Sequence, residues 1–120
     1  MWKTLALAFA LAGLAALPAD AHARLIRAQP RVGSTVAASP TDLRLQFSET
    51  LLPGQAHVTL KAADGHTVAL GPISLDLANP RIAVAPVPVA LAPGAYRVDW
   101  DVTSTDTHET YGDFTFRMGR

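Results

Sequence analysis

The stretch Tyr96-Arg97-Val98-Asp99-Trp100-Asp101-Val102-Thr103-Ser104-Thr105-Asp106-Thr107-His108 decides how the chain is read. Tyr96, Val98, Trp100 and Val102 alternate with Arg97, Asp99, Asp101 and Thr103, the two-residue period of a strand with one face in a core and one in water. Counting on in twos passes Ser104 and reaches Asp106 and His108. An unbroken strand would bury a carboxylate and an imidazole among apolar side chains, which is very costly for an ionised group. The chain is therefore expected to leave the sheet near Thr103 to Thr105 and to present Asp106 and His108 from the rim. An Asp-x-His pair is metal-ligand chemistry. Two ligands alone make a weak site, and an isolated pair reads more simply as a turn-capping aspartate beside a solvated histidine.

The same period recurs outward from this strand. Leu43, Leu45 and Phe47 alternate with Arg44, Gln46 and Ser48, and the charged Glu49, sharing the parity of Phe47, marks that strand's rim. Val58 and Leu60 alternate with His57, Thr59 and Lys61; Asp64-Gly65 is a hairpin signal, and His66 to Leu70 returns. Ile73, Leu75 and Leu77 alternate again, while Ile82-Ala83-Val84 is cut short by Pro86 and Pro88. Phe114, Phe116 and Met118 point one way, Thr115 and Arg117 the other; Leu25-Ile26 is a short run before Pro30 and Gly33-Ser34. No segment after residue 21 shows a helical period of useful length. About seven short strands between Pro/Gly turns predict an all-β, immunoglobulin-like sandwich or small barrel, its core anchored by the strand through Trp100.

With 120 residues and 49% hydrophobic content the chain has room for one domain. Lys+Arg and Asp+Glu both number 10, so no basic excess points to a nucleic acid or an anionic membrane. Cysteine is absent, which removes disulfides and thiolate chemistry. Met1 to Ala21 has Lys3, an apolar run from Leu5 to Leu17, and small residues at Ala19 and Ala21. That is the pattern of a cleaved secretory signal, too short to span a bilayer, which leaves residues 22–120 as an exported domain held by an ordinary core. Cleavage after Ala21 would make His22 the first residue, joining its ring to a free amine in a chelate suited to Cu(II). A second small-x-small match, Ala21-His22-Ala23, would cut after Ala23 and discard His22; the local residues leave both open.

Taken in order, several motifs resemble the CopC-type periplasmic copper-binding proteins over essentially the whole mature chain. They are His22-Ala23-x-Leu25, Pro30-x-x-Gly33, Leu45-x-Phe47-Ser48-Glu49, Pro93-Gly94-x-Tyr96-x-Val98-x-Trp100, Ser104-x-Asp106-x-His108 and Gly112-x-Phe114-x-Phe116. The resemblance implies a Greek-key β-sandwich binding Cu(II) at one end, with His22 (through amine and ring), Asp106 and His108 as ligands. Glu49 matches an acidic position beside the copper and is carried over as a weak ligand or a carboxylate just outside the ligand set. The competing view is a solvated rim carboxylate.

Some members of that family have a second, Cu(I) site in a methionine-rich loop, as soft thioethers favour Cu(I). Here the mature chain retains only Met118, whose parity is that of the core, and His57 and His66 read as surface residues. A single Cu(II) site is expected. The function implied is that of a monomeric, non-enzymatic carrier or buffer in copper homeostasis and resistance, sequestering the ion or passing it to an inner-membrane transporter. Two other readings compete. An oxidative copper enzyme could be built on an N-terminal histidine, but Tyr96 and Trp100 belong to the core face and leave no flat aromatic surface for a polysaccharide. A metal-free immunoglobulin-like interaction module is the other. Nitrogen ligands bind deprotonated, so affinity for the ion should fall steeply between neutral pH and about pH 5.

Overall fold

The computed structural model describes residues 22–119; the expected signal segment, Met1 to Ala21, and Arg120 lie outside the described residues. Nine strands are present among them: β1 (Leu25–Gln29), β2 (Thr35–Val36), β3 (Asp42–Phe47), β4 (His57–Ala62), β5 (Thr67–Val68), β6 (Ser74–Leu75), β7 (Ile82–Pro86), β8 (Gly94–Thr103) and β9 (Glu109–Met118). They form one sheet in the order β1-β3-β7-β6 and a second in the order β2-β9-β8-β4-β5. The chain crosses between the sheets five times, from β1 to β2, β2 to β3, β3 to β4, β5 to β6 and β7 to β8, in a Greek-key sandwich.

The alternation seen in the sequence becomes the core. Leu43, Leu45 and Phe47 of β3 and Ala83 and Ala85 of β7 face Leu60 of β4, Val98 and Val102 of β8, and Phe114, Phe116 and Met118 of β9, all buried. Strand β8 is the spine of the second sheet. It pairs with β9 from Gly94↔Met118 to Thr103↔Glu109 and with β4 from His57↔Asp101 to Ala62↔Tyr96. Trp100 is partly buried and meets Phe47 edge-on across the sandwich, ring centroids 5.0 Å apart. Its indole covers Gly112, the residue opposite it on β9.

Three local departures from the expected pattern have identifiable causes. Thr35–Val36, after the turn at Gly33, adds a short parallel pairing to β9 that periodicity does not reveal, since two residues carry no period. The return after Asp64-Gly65 pairs only at Thr67–Val68 before Gly71-Pro72 ends it. Leu77, expected inward, is fully exposed. Asp76 turns the chain there: its Oδ1 accepts the N–H groups of Ala78 (2.8 Å) and Asn79 (3.1 Å), and the Arg44 guanidinium donates to its Oδ2. An Asx turn of this kind ends β6 at Leu75.

At one end of the sandwich β3 stops at Phe47 and β8 at Thr103, ahead of the charged Glu49 and Asp106. The chain leaving β3 is tied to the chain leaving β8. Leu51 forms a bridge to Ser104, the Leu52 N–H donates to the Thr103 carbonyl (2.9 Å), and the Thr105 N–H donates to the Thr50 carbonyl (3.0 Å). The rim is therefore a braced platform.

Candidate metal centre

Residues 104–108 form the tight connection between β8 and β9. The Ser104 N–H donates to the His108 carbonyl (3.0 Å), and the Thr107 N–H donates to the Ser104 carbonyl (2.8 Å). Thr107 sits at φ 71°, a left-handed conformation rare for a β-branched residue. With the backbone so turned, the exposed side chains of Asp106 and His108 face each other, Oδ2 lying 3.2 Å from Nδ1. The second carboxylate oxygen, Oδ1, accepts the Ser104 hydroxyl and the His108 N–H (3.3 Å). The Ser104 hydroxyl above all, followed by His108, holds the Asp106 carboxyl below the usual carboxylate range. It is thus kept as the anion a cation requires.

The other half of the site comes from the first described residues. Ala23 is buried at 2% exposure, and its carbonyl accepts the Thr110 hydroxyl of β9 at 3.0 Å. The Arg24 N–H donates to Ser48 Oγ (2.9 Å), and the Ser48 N–H donates back to the Arg24 carbonyl (2.9 Å). Residues 22–24 are thereby strapped across the end of the sandwich, fastened to the chain after β3 and to β9. This puts the exposed His22 ring 4.6 Å from the His108 ring, centroid to centroid, at 62° between planes.

These separations can be compared with coordination geometry. Two imidazoles bound to one ion at the roughly 90° angle of tetragonal Cu(II), with metal–nitrogen bonds of about 2.0 Å, have centroids roughly 4.5 Å apart; adjacent nitrogen and oxygen donors then lie roughly 2.9 Å apart. Both pairs here, at 4.6 Å and 3.2 Å, are close to those values. The fit is pairwise. No group of three His, Asp or Glu side chains among the described residues is arranged to hold an ion as it stands. Asp106 Oδ2 and His108 Nδ1 face each other across the turn at 3.2 Å.

Glu49 is partly buried in the segment just after β3, next to Ser48, which holds Arg24. His57 and His66 are exposed, His66 with its Nδ1 2.6 Å from Asp64 Oδ1 in the β4–β5 turn, and Met118 is buried. What sequence reasoning missed are the hydroxyls. Ser104 stood inside the quoted motif and Thr110 just after it, but parity marks only their face, and hydrogen bonding to Asp106 and Ala23 follows from the turn and the strap.

Fold and rim together define a class: a cysteine-free β-sandwich in which the first described residues and the β8–β9 turn meet at a His/Asp/His edge. The family model of the CopC domain matches residues 25–119, and the chain belongs to the CopC family. Among curated relatives, Protein YobA of Escherichia coli strain K12 is 31% identical over 98 residues, covering 82% of this chain and 79% of that protein. Copper resistance protein C of Pseudomonas syringae pv. tomato is 32% identical over 117 residues, covering 92% and 90%. Among solved structures, PcoC, a methionine-rich copper resistance protein from Escherichia coli, superposes with a TM-score of 0.73 at 32% identity, covering 82% of this chain and 99% of that one.

Proposed function

We propose that the exported chain is a periplasmic Cu(II)-binding protein of copper homeostasis and resistance. It holds one ion between His22, Asp106 and His108, and acts without catalysis as a monomeric carrier or buffer. The observation that carries this reading is the approach of the His22 ring to the His108 ring beside an ionised Asp106. Membership in the CopC family and the likeness to copper resistance protein C support copper as the cargo. The donor set supports the oxidation state. Imidazole, amine and carboxylate suit Cu(II), and the soft ligands that select Cu(I) are missing, since cysteine is absent and Met118 is buried.

Removal of residues 1–21 converts the His22 backbone nitrogen from a peptide nitrogen into an amine, adding a donor beside the ring. Glu49, one residue beyond the Ser48 that holds Arg24, is assigned as a weak ligand or a carboxylate outside the ligand set. Because the three side chains are exposed at the rim, an inner-membrane transporter can reach the ion directly.

The test starts from the intact mass of the exported protein, expected to begin at His22. That species should take up one equivalent of Cu(II), with nitrogen hyperfine structure in its EPR spectrum. A single glycine added before His22, His22→Ala, Asp106→Asn or His108→Ala should each weaken binding. Wild-type affinity in the glycine-extended protein would refute the chelate, and reductant-driven oxygen consumption faster than that of free copper would refute the carrier in favour of an enzyme.

A further inference from the structure

Ser104 is the one buried polar or charged residue among those described, at 1% exposure. A buried hydroxyl needs a partner, and it carries one proton to give. The geometry offers it two acceptors, Asp106 Oδ1 and, at 3.4 Å, the His108 carbonyl. The carboxylate is the stronger acceptor and much the closer. Ser104 cannot swing away, because its N–H is bonded to the His108 carbonyl, its carbonyl to the Thr107 N–H, and it bridges to Leu51. Oδ1 of Asp106 is thus occupied by a donor anchored in the core, and Oδ2 is left on the side of His108.

Thr110 does the same for the opposite half. It lies on β9 opposite buried Val102, and its hydroxyl grips the carbonyl of Ala23, the residue next to His22. Each half of the rim thus has one hydroxyl fastening it to the hydrogen-bonded β8–β9 ladder. An exposed Asp, His and terminal residue would otherwise have to be ordered when the ion arrives, and that ordering opposes binding.

We propose that Ser104 and Thr110 are positioning residues for the copper ion. Ser104 restricts Asp106 to a single ligand oxygen, Oδ2, and Thr110 registers the strap so that His22 is delivered to His108. This rests on the reading of His22, Asp106 and His108 as ligands. The two hydroxyls touch no ion themselves and act through groups that do, as the outer partners of metal ligands generally do.

The experiment uses the mature protein beginning at His22 with Cu(II), measuring affinity by competition with a chelator and site structure by EPR. Thermal melts of the copper-free forms report folding separately. Ser104→Ala and Thr110→Val should each lower Cu(II) affinity by about tenfold or more, the range seen for outer partners of ligands. Ser104→Ala should also shift the copper hyperfine parameters, and Thr110→Ser, which restores only the hydroxyl, should bind like wild type. If His22→Ala abolishes binding while Ser104→Ala and Thr110→Val bind within twofold of wild type with its spectrum, the positioning role is overturned and the ligand reading stands. If His22→Ala binds like wild type, both are overturned. A loss in Thr110→Val that Thr110→Ser fails to restore overturns the role of the hydroxyl and assigns the effect to packing.

Discussion

Replacing Gly112 by alanine tests the packing that supports the rim. A Cβ built at Gly112 would lie 2.6 Å from Cζ2, 3.0 Å from Cε2 and 3.3 Å from Cη2 of Trp100. The indole would have to retreat by roughly 1 Å to recover an ordinary carbon–carbon separation of about 3.5 Å. Little allows that movement. Trp100 sits on a strand paired on both sides, and across the sandwich it meets the Phe47 ring. Overpacking a site of this kind costs about 1–3 kcal/mol, offset by about 0.4–1 kcal/mol from the reduced freedom of alanine in the unfolded chain. The net loss should be about 1–2 kcal/mol, read as a fall in Tm of roughly 5–15 °C for a domain of this size. Urea and thermal melts of the copper-free protein measure it. Trp100→Leu, which removes the obstructing ring, should then make Gly112→Ala far less harmful in the double variant. A Gly112→Ala protein as stable as wild type, or strict additivity in the cycle, would refute the reasoning.

Three further outcomes can be checked. Thr107→Gly removes a left-handed conformation worth about 1–2 kcal/mol of strain against about 0.5–1 kcal/mol for the added freedom of glycine, so the urea midpoint should rise by a net of about 0.5–1 kcal/mol; a lowered midpoint contradicts this. Asp101 lies against Glu109 and, through a shared hydrogen bond and like charge, raises the Glu109 carboxyl above its ordinary value of 4.5. The folded chain then binds more protons than the unfolded one between that value and the raised folded value, so stability declines as pH rises through this window. Asp101→Asn should flatten that decline and lower the Glu109 titration seen by NMR, and an unchanged titration would show the pair is not coupled. Finally, Cu(II) affinity should fall steeply between neutral pH and about pH 5, since nitrogen donors bind deprotonated; competition titrations showing a flat profile would exclude histidine and amine ligation.

Reading the fold from the sequence worked best where burial imposes a period. The β3 and β8 alternations marked their inward residues, and the charges at Glu49 and Asp106 marked where each strand had to stop, because an ionised group cannot follow the apolar face inward. It worked least where only hydrogen bonding decides. Leu77 continues the alternation of Ile73 and Leu75, yet an Asp76 turn sets it in water. The pairing of Thr35–Val36 with β9 depends on a distant strand that leaves no local trace.

The candidate metal edge divides in the same way. By itself the sequence determined the candidate donors: Asp106 and His108 two residues apart past the end of a strand, and His22, which cleavage after Ala21 would place at the mature terminus. Residue type and spacing state which atoms can bind an ion. They do not state that His22 lies 4.6 Å from His108, or that Ser104 and Thr110 hold the two halves. Those facts were decided by the tertiary structure, because closing the sandwich brings the first residues, the end of β3 and the β8–β9 turn to one rim, and only there can hydroxyls from one segment bond the backbone and carboxylate of another.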